Sequence, residues 1–251
     1  MPNPGNKKQT LPTPLSQLSP ADRLIVALDF PDAHSALALA GVVGQAASAF
    51  KVGKELFTAE GPKVVNDLVA AGRRVFLDLK FHDIPATVSG AVSSAARLGV
   101  SMLTVHASGG RAMLEAAVKA RGNRSESPII LAVTVLTSLK DSDLSELGIH
   151  GSVTEQVLRL ARLAKSAGCG GVVASPQEAA VLRKELGPDF LIVTAGVRPA
   201  GGTAGDQARV ATPAQAIAAG ASHIVVGRPI TASKNPAAAA RAIVEEIAGV
   251  V

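Results

Sequence analysis

A chain of 251 residues is long enough for one barrel, one doubly wound sheet or two small domains, and its 47% hydrophobic content can build a sizeable core. Aromatic residues make up only 2%, with no Trp and no Tyr, so the core must be Ala, Val, Leu and Ile. That argues against a single-strand nucleic-acid surface built on stacking platforms. The formal charge of +5 is modest and scattered, and the single cysteine, Cys169, leaves neither an internal disulfide nor a cysteine metal cluster.

Residues 1–20 hold five prolines and no acid, apart from which they are mostly Ser, Thr, Asn, Gln, Leu and two lysines. Such a segment builds no core and is expected to be a disordered or loosely draped tail, with the folded domain running from residue 21 to 251. No apolar stretch is long enough to span a bilayer, and the first residues do not resemble a secretion signal, so the cytoplasm is the expected compartment.

From Arg23 onward one unit recurs. Short β-rich runs occupy Leu24–Asp29, Ala49–Gly53, Arg74–Lys80, Ser101–His106, Ile129–Thr134, Gly170–Ala174, Phe190–Ala195 and His223–Gly227. Between them lie stretches with helical spacing, among them Ala33–Val43, Pro62–Ala71, Thr87–Leu98, Gly110–Ala120 and Thr154–Ala167. Gly72, Gly99, Gly168, Gly187 and Gly220 stand where helices should stop. Eight strand–helix units predict an α/β fold, a single (β/α)8 TIM barrel, with a doubly wound sheet as the alternative. No strand runs into a Gly-x-Gly-x-x-Gly turn, which weighs against a dinucleotide fold. The polar segment Ser138–Gly151 reads as an elaborated active-site loop.

The most informative run is Phe76-Leu-Asp-Leu-Lys-Phe-His-Asp-Ile-Pro85. Strand alternation puts Asp78 and Lys80 on one face and Leu77 and Leu79 on the other, toward the helices. The two charged groups then enter the barrel mouth and must be paired, because an isolated buried charge is costly. Asp83 lies beyond the strand and need not point into the same site. Asp29 closes the first strand, Lys51 the second and His106 the fourth. Asp29, Lys51 and Asp78 at neighbouring strand ends form an alternating set that solvation alone does not explain. His106 reads as a packed, hydrogen-bonded histidine in preference to a general base, and His82 as structural. Across the barrel, Gly227 and Arg228 end the eighth strand, and Arg198 with the loop Gly201–Gln207 follows the seventh. Loops after strands seven and eight are the recurrent phosphate site of this fold. No set of His, Cys, Asp and Glu has metal-site spacing, and lysines with aspartates can stabilise a carbanion and deliver a proton without a cofactor.

With these residues in place, the chain from about Leu24 to its C-terminus resembles the orotidine 5'-phosphate decarboxylase family. The resemblance rests on an ordered set: Leu28-Asp-Phe30, Lys51-Val-Gly-Lys-Glu-Leu-Phe57, Asp78-Leu-Lys-Phe-His-Asp-Ile-Pro85, Val105-His-Ala-Ser-Gly-Gly110, Val133-Thr-Val-Leu-Thr-Ser138, Gly205-Asp-Gln207 and Val226-Gly-Arg-Pro-Ile230. It implies cofactor-free decarboxylation of orotidine 5'-monophosphate to UMP. Lys80 would protonate carbon 6 within an array of Lys51, Asp78, Lys80 and Asp83, the last donated by the other subunit of a homodimer. It further implies that Asp29 and Lys51, with Thr87 from the partner, hold the ribose. Thr137 would lie near the pyrimidine, and Arg198, Gln207, Gly227 and Arg228 would bind the phosphate. Two positions depart from the family pattern, Ala86 after Ile-Pro and Ala195 in Thr194-Ala-Gly196. Asp-x-Lys-x-x-Asp alone is shared with magnesium-dependent sugar-phosphate decarboxylases and aldolases of the same superfamily, the nearest alternative. A non-catalytic nucleotide-binding barrel is the alternative of a different class.

Overall fold

Eight β-rich runs joined only by helix-length stretches favour parallel pairing, since a hairpin needs a short turn. In a computed structural model, which describes residues 15–47, 49–199 and 211–251, that is how they pair. The strands are β1 (Leu24–Ala27), β2 (Ala49–Gly53), β3 (Arg74–Phe81), β4 (Met102–His106), β5 (Ile129–Val133), β6 (Gly171–Ala174), β7 (Leu191–Thr194) and β8 (His223–Val226). They form a closed parallel barrel in sequence order, β1 pairing with β8 through Leu24 beside Ile224. Closure removes the doubly wound alternative. The (β/α)8 barrel is the fold.

Alternate residues of each strand divide between two cores. Leu24, Val26, Val75 and Leu77 join the layer between strands and helices, whereas Ile25, Ala27, Phe76 and Met102 fill the barrel. Burying each large aliphatic side chain contributes roughly 1.5–3 kcal/mol, so this sorting sets the register of every strand. The interior is narrow. A Cβ added at Gly171 would lie 2.6 Å from the Leu191 carbonyl oxygen, so a barrel built this tightly suits small branched side chains and few rings.

The helices match the expected spacing within one or two residues: Ala33–Val43 and Gly110–Ala120 as expected, then Pro62–Ala70, Pro85–Arg97 and Val153–Ser166. Asp32 starts the first, its carboxylate accepting the Ser35 N–H at 2.8 Å. The five helix-stopping glycines all take positive φ, from 73° at Gly72 to 104° at Gly220. Gly220 carries a second constraint, because a Cβ there would meet the Arg183 Cβ at 2.8 Å. The segment expected to be an elaborated loop contains a short helix, Asp141–Glu146, tied down where Asp141 accepts the Val153 N–H at 2.7 Å.

Most of the expected tail, residues 1–14, lies outside the described residues. Its last part reaches the barrel floor: Leu15–Gln17 makes a single 3-10 turn, and Leu15 packs against the interior cluster. Arg23 holds that turn by donating to the Leu15 carbonyl at 3.0 Å.

Candidate active site

At the C-terminal mouth, β3 departs from a regular strand. Its register with β4 runs Phe76 to Met102 and Leu77 to Leu103, then resumes at Phe81 and Val105, so β3 advances four residues while β4 advances two. Lys80 lies in this bulge with φ 54°, the one non-glycine positive φ among the described residues. A lysine in that region costs about 1–3 kcal/mol and persists only where its surroundings impose it. Asp78 and Lys80 do share a face, as alternation predicts, and Leu77 and Leu79 pack toward the helices. The bulge is what the alternation rule does not contain.

The Lys80 ammonium donates to both oxygens of Asp78, at 2.9 and 2.8 Å. Asp78 Oδ2 also lies 3.9 Å from the Lys51 ammonium, which donates to Asp29 Oδ1 at 2.9 Å. Four groups thus alternate in sign across the ends of three adjacent strands: Asp29, Lys51, Asp78, Lys80. Burial is graded along the chain of charges, with the Lys51 and Asp78 side chains 12% and 13% exposed, Lys80 25% and Asp29 57%. The inner pair carries the desolvation cost, and removing one partner would leave its neighbour poorly compensated. Asp29 and Lys80, at the wetter ends, are the members a ligand can reach most readily.

Glycine makes room for this array. Gly53 pairs with Asp78 across β2 and β3, and a Cβ there would lie 2.9 Å from the Lys51 ammonium and 3.2 Å from Asp29 Oδ1. A Cβ at Gly227 would lie 3.8 Å from Asp29 Oδ2, which brings the end of β8 to the same mouth. Thr104, fully buried on β4, was not singled out in the sequence. Its hydroxyl accepts the Lys80 backbone N–H at 2.9 Å and donates to Asp78 Oδ1 at 3.0 Å. The signal was there: Thr104 lies two residues before His106 and therefore shares its face.

His106 is packed as expected, but against another ring, His82, whose centroid is 5.2 Å away. Burial pushes its pKa down to about 4, reinforced by His82, Lys80 and Lys54 and opposed by Asp78, so at neutral pH it is an uncharged wall beside the array. Asp83 is not brought to Lys80 within this chain; it is exposed, and its carboxylate accepts the Ile84 N–H at 2.6 Å. Thr87 is exposed on the first turn of Pro85–Arg97. Thr137 is half-buried after β5, Arg198 half-buried after β7, and Arg228 exposed after β8. Arg198 donates to the Val197 carbonyl at 2.9 Å. Gln207 and the rest of Gly201–Gln207 lie outside the described residues. A separate cleft of about 590 Å³ beside Glu155, Arg159 and Arg162 contains none of these groups.

Comparison with known proteins gives the family. Residues 22–243 match the "Orotidine 5'-phosphate decarboxylase / HUMPS family". A relative from Halorhodospira halophila is 57% identical over 226 residues, covering 90% of this chain and 96% of its own, and one from Alkalilimnicola ehrlichii is 54% identical with the same coverage. Both carry the name orotidine 5'-phosphate decarboxylase. The crystal structure of orotidine 5'-phosphate decarboxylase from Lactobacillus acidophilus superposes with a TM-score of 0.79 at 40% identity, covering 90% of this chain and 99% of that one. With a closed eight-stranded barrel, acids and lysines alternating at its C-terminal mouth, and such relatives over nine-tenths of its length, the chain belongs to the orotidine 5'-phosphate decarboxylase / HUMPS family.

Proposed function

We propose that this carboxy-lyase converts orotidine 5'-monophosphate to UMP and carbon dioxide without a cofactor, the last step of pyrimidine nucleotide synthesis, in the cytoplasm. The observation that carries the reading is the Asp29–Lys51–Asp78–Lys80 array, which ends on a lysine ammonium at the open mouth. Relatives named for this activity support it.

The chemistry follows from the array. A substrate carboxylate beside Asp78 is disfavoured by like charge. As the bond from carbon 6 to the carboxyl carbon breaks, its electron pair stays on carbon 6 as a vinyl carbanion. Lys80 stabilises that developing charge and then donates a proton to carbon 6, forming UMP; solvent restores the ammonium. The lysine carries more of the catalysis than Asp78 does, because it interacts better with the transition state than with the substrate. Asp29 and Lys51 hold the ribose, Thr137 lies by the pyrimidine, and Arg198, Gln207, Gly227 and Arg228 take the phosphate. The barrel from residue 21 is the catalytic domain, and residues 1–20 are an accessory tail.

The working unit is a homodimer in which Asp83 and Thr87 cross to the other subunit's site. Exposure of His82–Thr87, with Ile84 67% exposed, supports this: an apolar side chain at the rim of a charged site is a poor surface residue and a good interface one.

The direct test incubates the protein with orotidine monophosphate and follows loss of its ultraviolet absorbance. Turnover that survives excess chelator is expected. No turnover by the folded protein would overturn the reading, and loss on chelation would favour the magnesium-dependent lyases. The shared site is tested by co-expressing Lys80→Ala and Asp83→Ala chains. Random pairing makes about half the dimers mixed, both lesions then fall in one site, and about a quarter of all sites regain function. No recovery, with mixed dimers shown to be present, would mean that Asp83 serves its own chain.

A further inference from the structure

We infer that Thr104 is a positioning residue whose single hydroxyl sets both the left-handed backbone of Lys80 and the orientation of the Asp78 carboxylate. The inference rests on the role given to Lys80 above. It begins with the bulge: where β3 runs two residues ahead of β4, the Lys80 N–H has lost the ladder position a regular strand would give it. A buried N–H left without an acceptor is unfavourable, and a non-glycine residue at φ 54° adds to that cost. Thr104 Oγ1 supplies the acceptor at 2.9 Å.

The same oxygen carries a proton to give. It donates to Asp78 Oδ1 at 3.0 Å, the oxygen that also accepts from the Lys80 ammonium at 2.9 Å. One atom therefore grips Lys80 at its backbone and, through Asp78, at its ammonium. Only a hydroxyl offers an acceptor and a donor at a single point on so short a stem. The side chain is fully buried, so water cannot easily substitute for it. With the bulge held, the lysine side chain turns back over Asp78 instead of extending into solvent. Releasing the clamp lets the backbone relax toward a regular strand and swings the ammonium away from the place where a proton is needed. Misplacing a reacting group by about 1 Å is enough to cost on the order of a hundredfold in rate.

The test uses three variants of the whole protein. Thr104→Val keeps the branched shape and removes both hydrogen bonds; Thr104→Ser keeps the hydroxyl; Lys80→Ala reports on the parent reading. We expect Thr104→Val to lower kcat about 10- to 100-fold with KM and UMP affinity within about threefold of wild type, and Thr104→Ser to return kcat to within about threefold. In a Lys80→Ala background, Thr104→Val should change residual turnover less than about twofold, since the clamp then has no lysine to place. Thermal unfolding of each variant checks the fold; should the valine variant not fold, Thr104→Ala and Thr104→Cys supply the same kcat comparison. Wild-type kcat in the folded hydroxyl-free variants would overturn the inference, as would kcat and UMP affinity falling together. The parent reading fails separately, through a Lys80→Ala variant that still turns over.

Discussion

The two mouths of the barrel solve the same problem, polar groups at strand ends, in opposite ways. At the C-terminal mouth, charged side chains of both signs face one another: Asp29, Lys51, Asp78 and Lys80 are each other's partners. At the N-terminal mouth, cationic groups face the backbone. Arg183 donates to the carbonyls of Gly187, Pro188, Phe190 and Gly220 and to the Ser222 hydroxyl, at 2.7–3.1 Å, stitching together the segments that enter β7 and β8. His223 is enclosed there with Arg23 and Arg74 nearby. Carbonyl partners are fixed by the fold and hold one arrangement. Side-chain partners can be exchanged for those of a ligand, which suits the first mouth to binding, the end at which this fold generally places its sites.

The contrast is sharpest where activity and stability should separate. On the proposed mechanism, Lys80→Ala is expected to cut turnover about 10⁴-fold or more while the melting temperature stays near wild type, because it would remove proton donor and charge stabiliser together. Steady-state kinetics beside a thermal melt decide it; a folded variant with near-wild-type turnover would end the mechanism. The mirror experiment is Arg183→Met, which keeps the apolar stem but orphans several acceptors at once. It should lower stability by about 3–5 kcal/mol in urea unfolding and leave kcat of the folded fraction within about twofold. Lost turnover at unchanged stability would break the division between the mouths.

Arg228 probes the edge of the reactive mouth. With Arg228 in its proposed phosphate role, Arg228→Ala should cost about 2–4 kcal/mol in kcat/KM, part of it in kcat. A substrate lacking phosphate should then be handled almost equally by variant and wild type. A variant much worse on that truncated substrate would mean that Arg228 does something other than hold phosphate.

The smallest effect is a pH dependence of the other mouth. Burial pushes His223 down to about 4, with Arg74 and Arg23 adding to the shift and Asp22 opposing it. The unfolded chain takes up a proton near pH 6.5, whereas the folded one resists until about pH 4, so stability present above 6.5 drains away as pH falls through that window. Between pH 7 and 4.5 the loss from this group should be about 2–3 kcal/mol. His223→Gln should show a correspondingly shallower decline in urea unfolding across those pH values; equal slopes would show that the histidine is not responsible.

Much of this was legible in residue order. Strand spacing, the apolar division and helix-stopping glycines specify eight parallel units, because burial of alternate faces acts locally and repeats. The charges at the strand ends were legible for the same reason: alternation from Leu77 and Leu79 places Asp78 and Lys80 inward. What sequence alone could not supply is distance between strands. That Lys51 meets Asp29 on one side and Asp78 on the other depends on the pairing and register of β1, β2 and β3, which bring residues 22 and 27 positions apart within 4 Å. The left-handed Lys80 was equally hidden, because local preference opposes it and its N–H finds an acceptor in Thr104, 24 residues away. His223 read as an ordinary strand residue until the barrel shut around it. Periodicity is a property of each segment and was written in the order of residues; partnership at the mouths belongs to the closed barrel, where contacts between segments outweigh the preferences of any one of them.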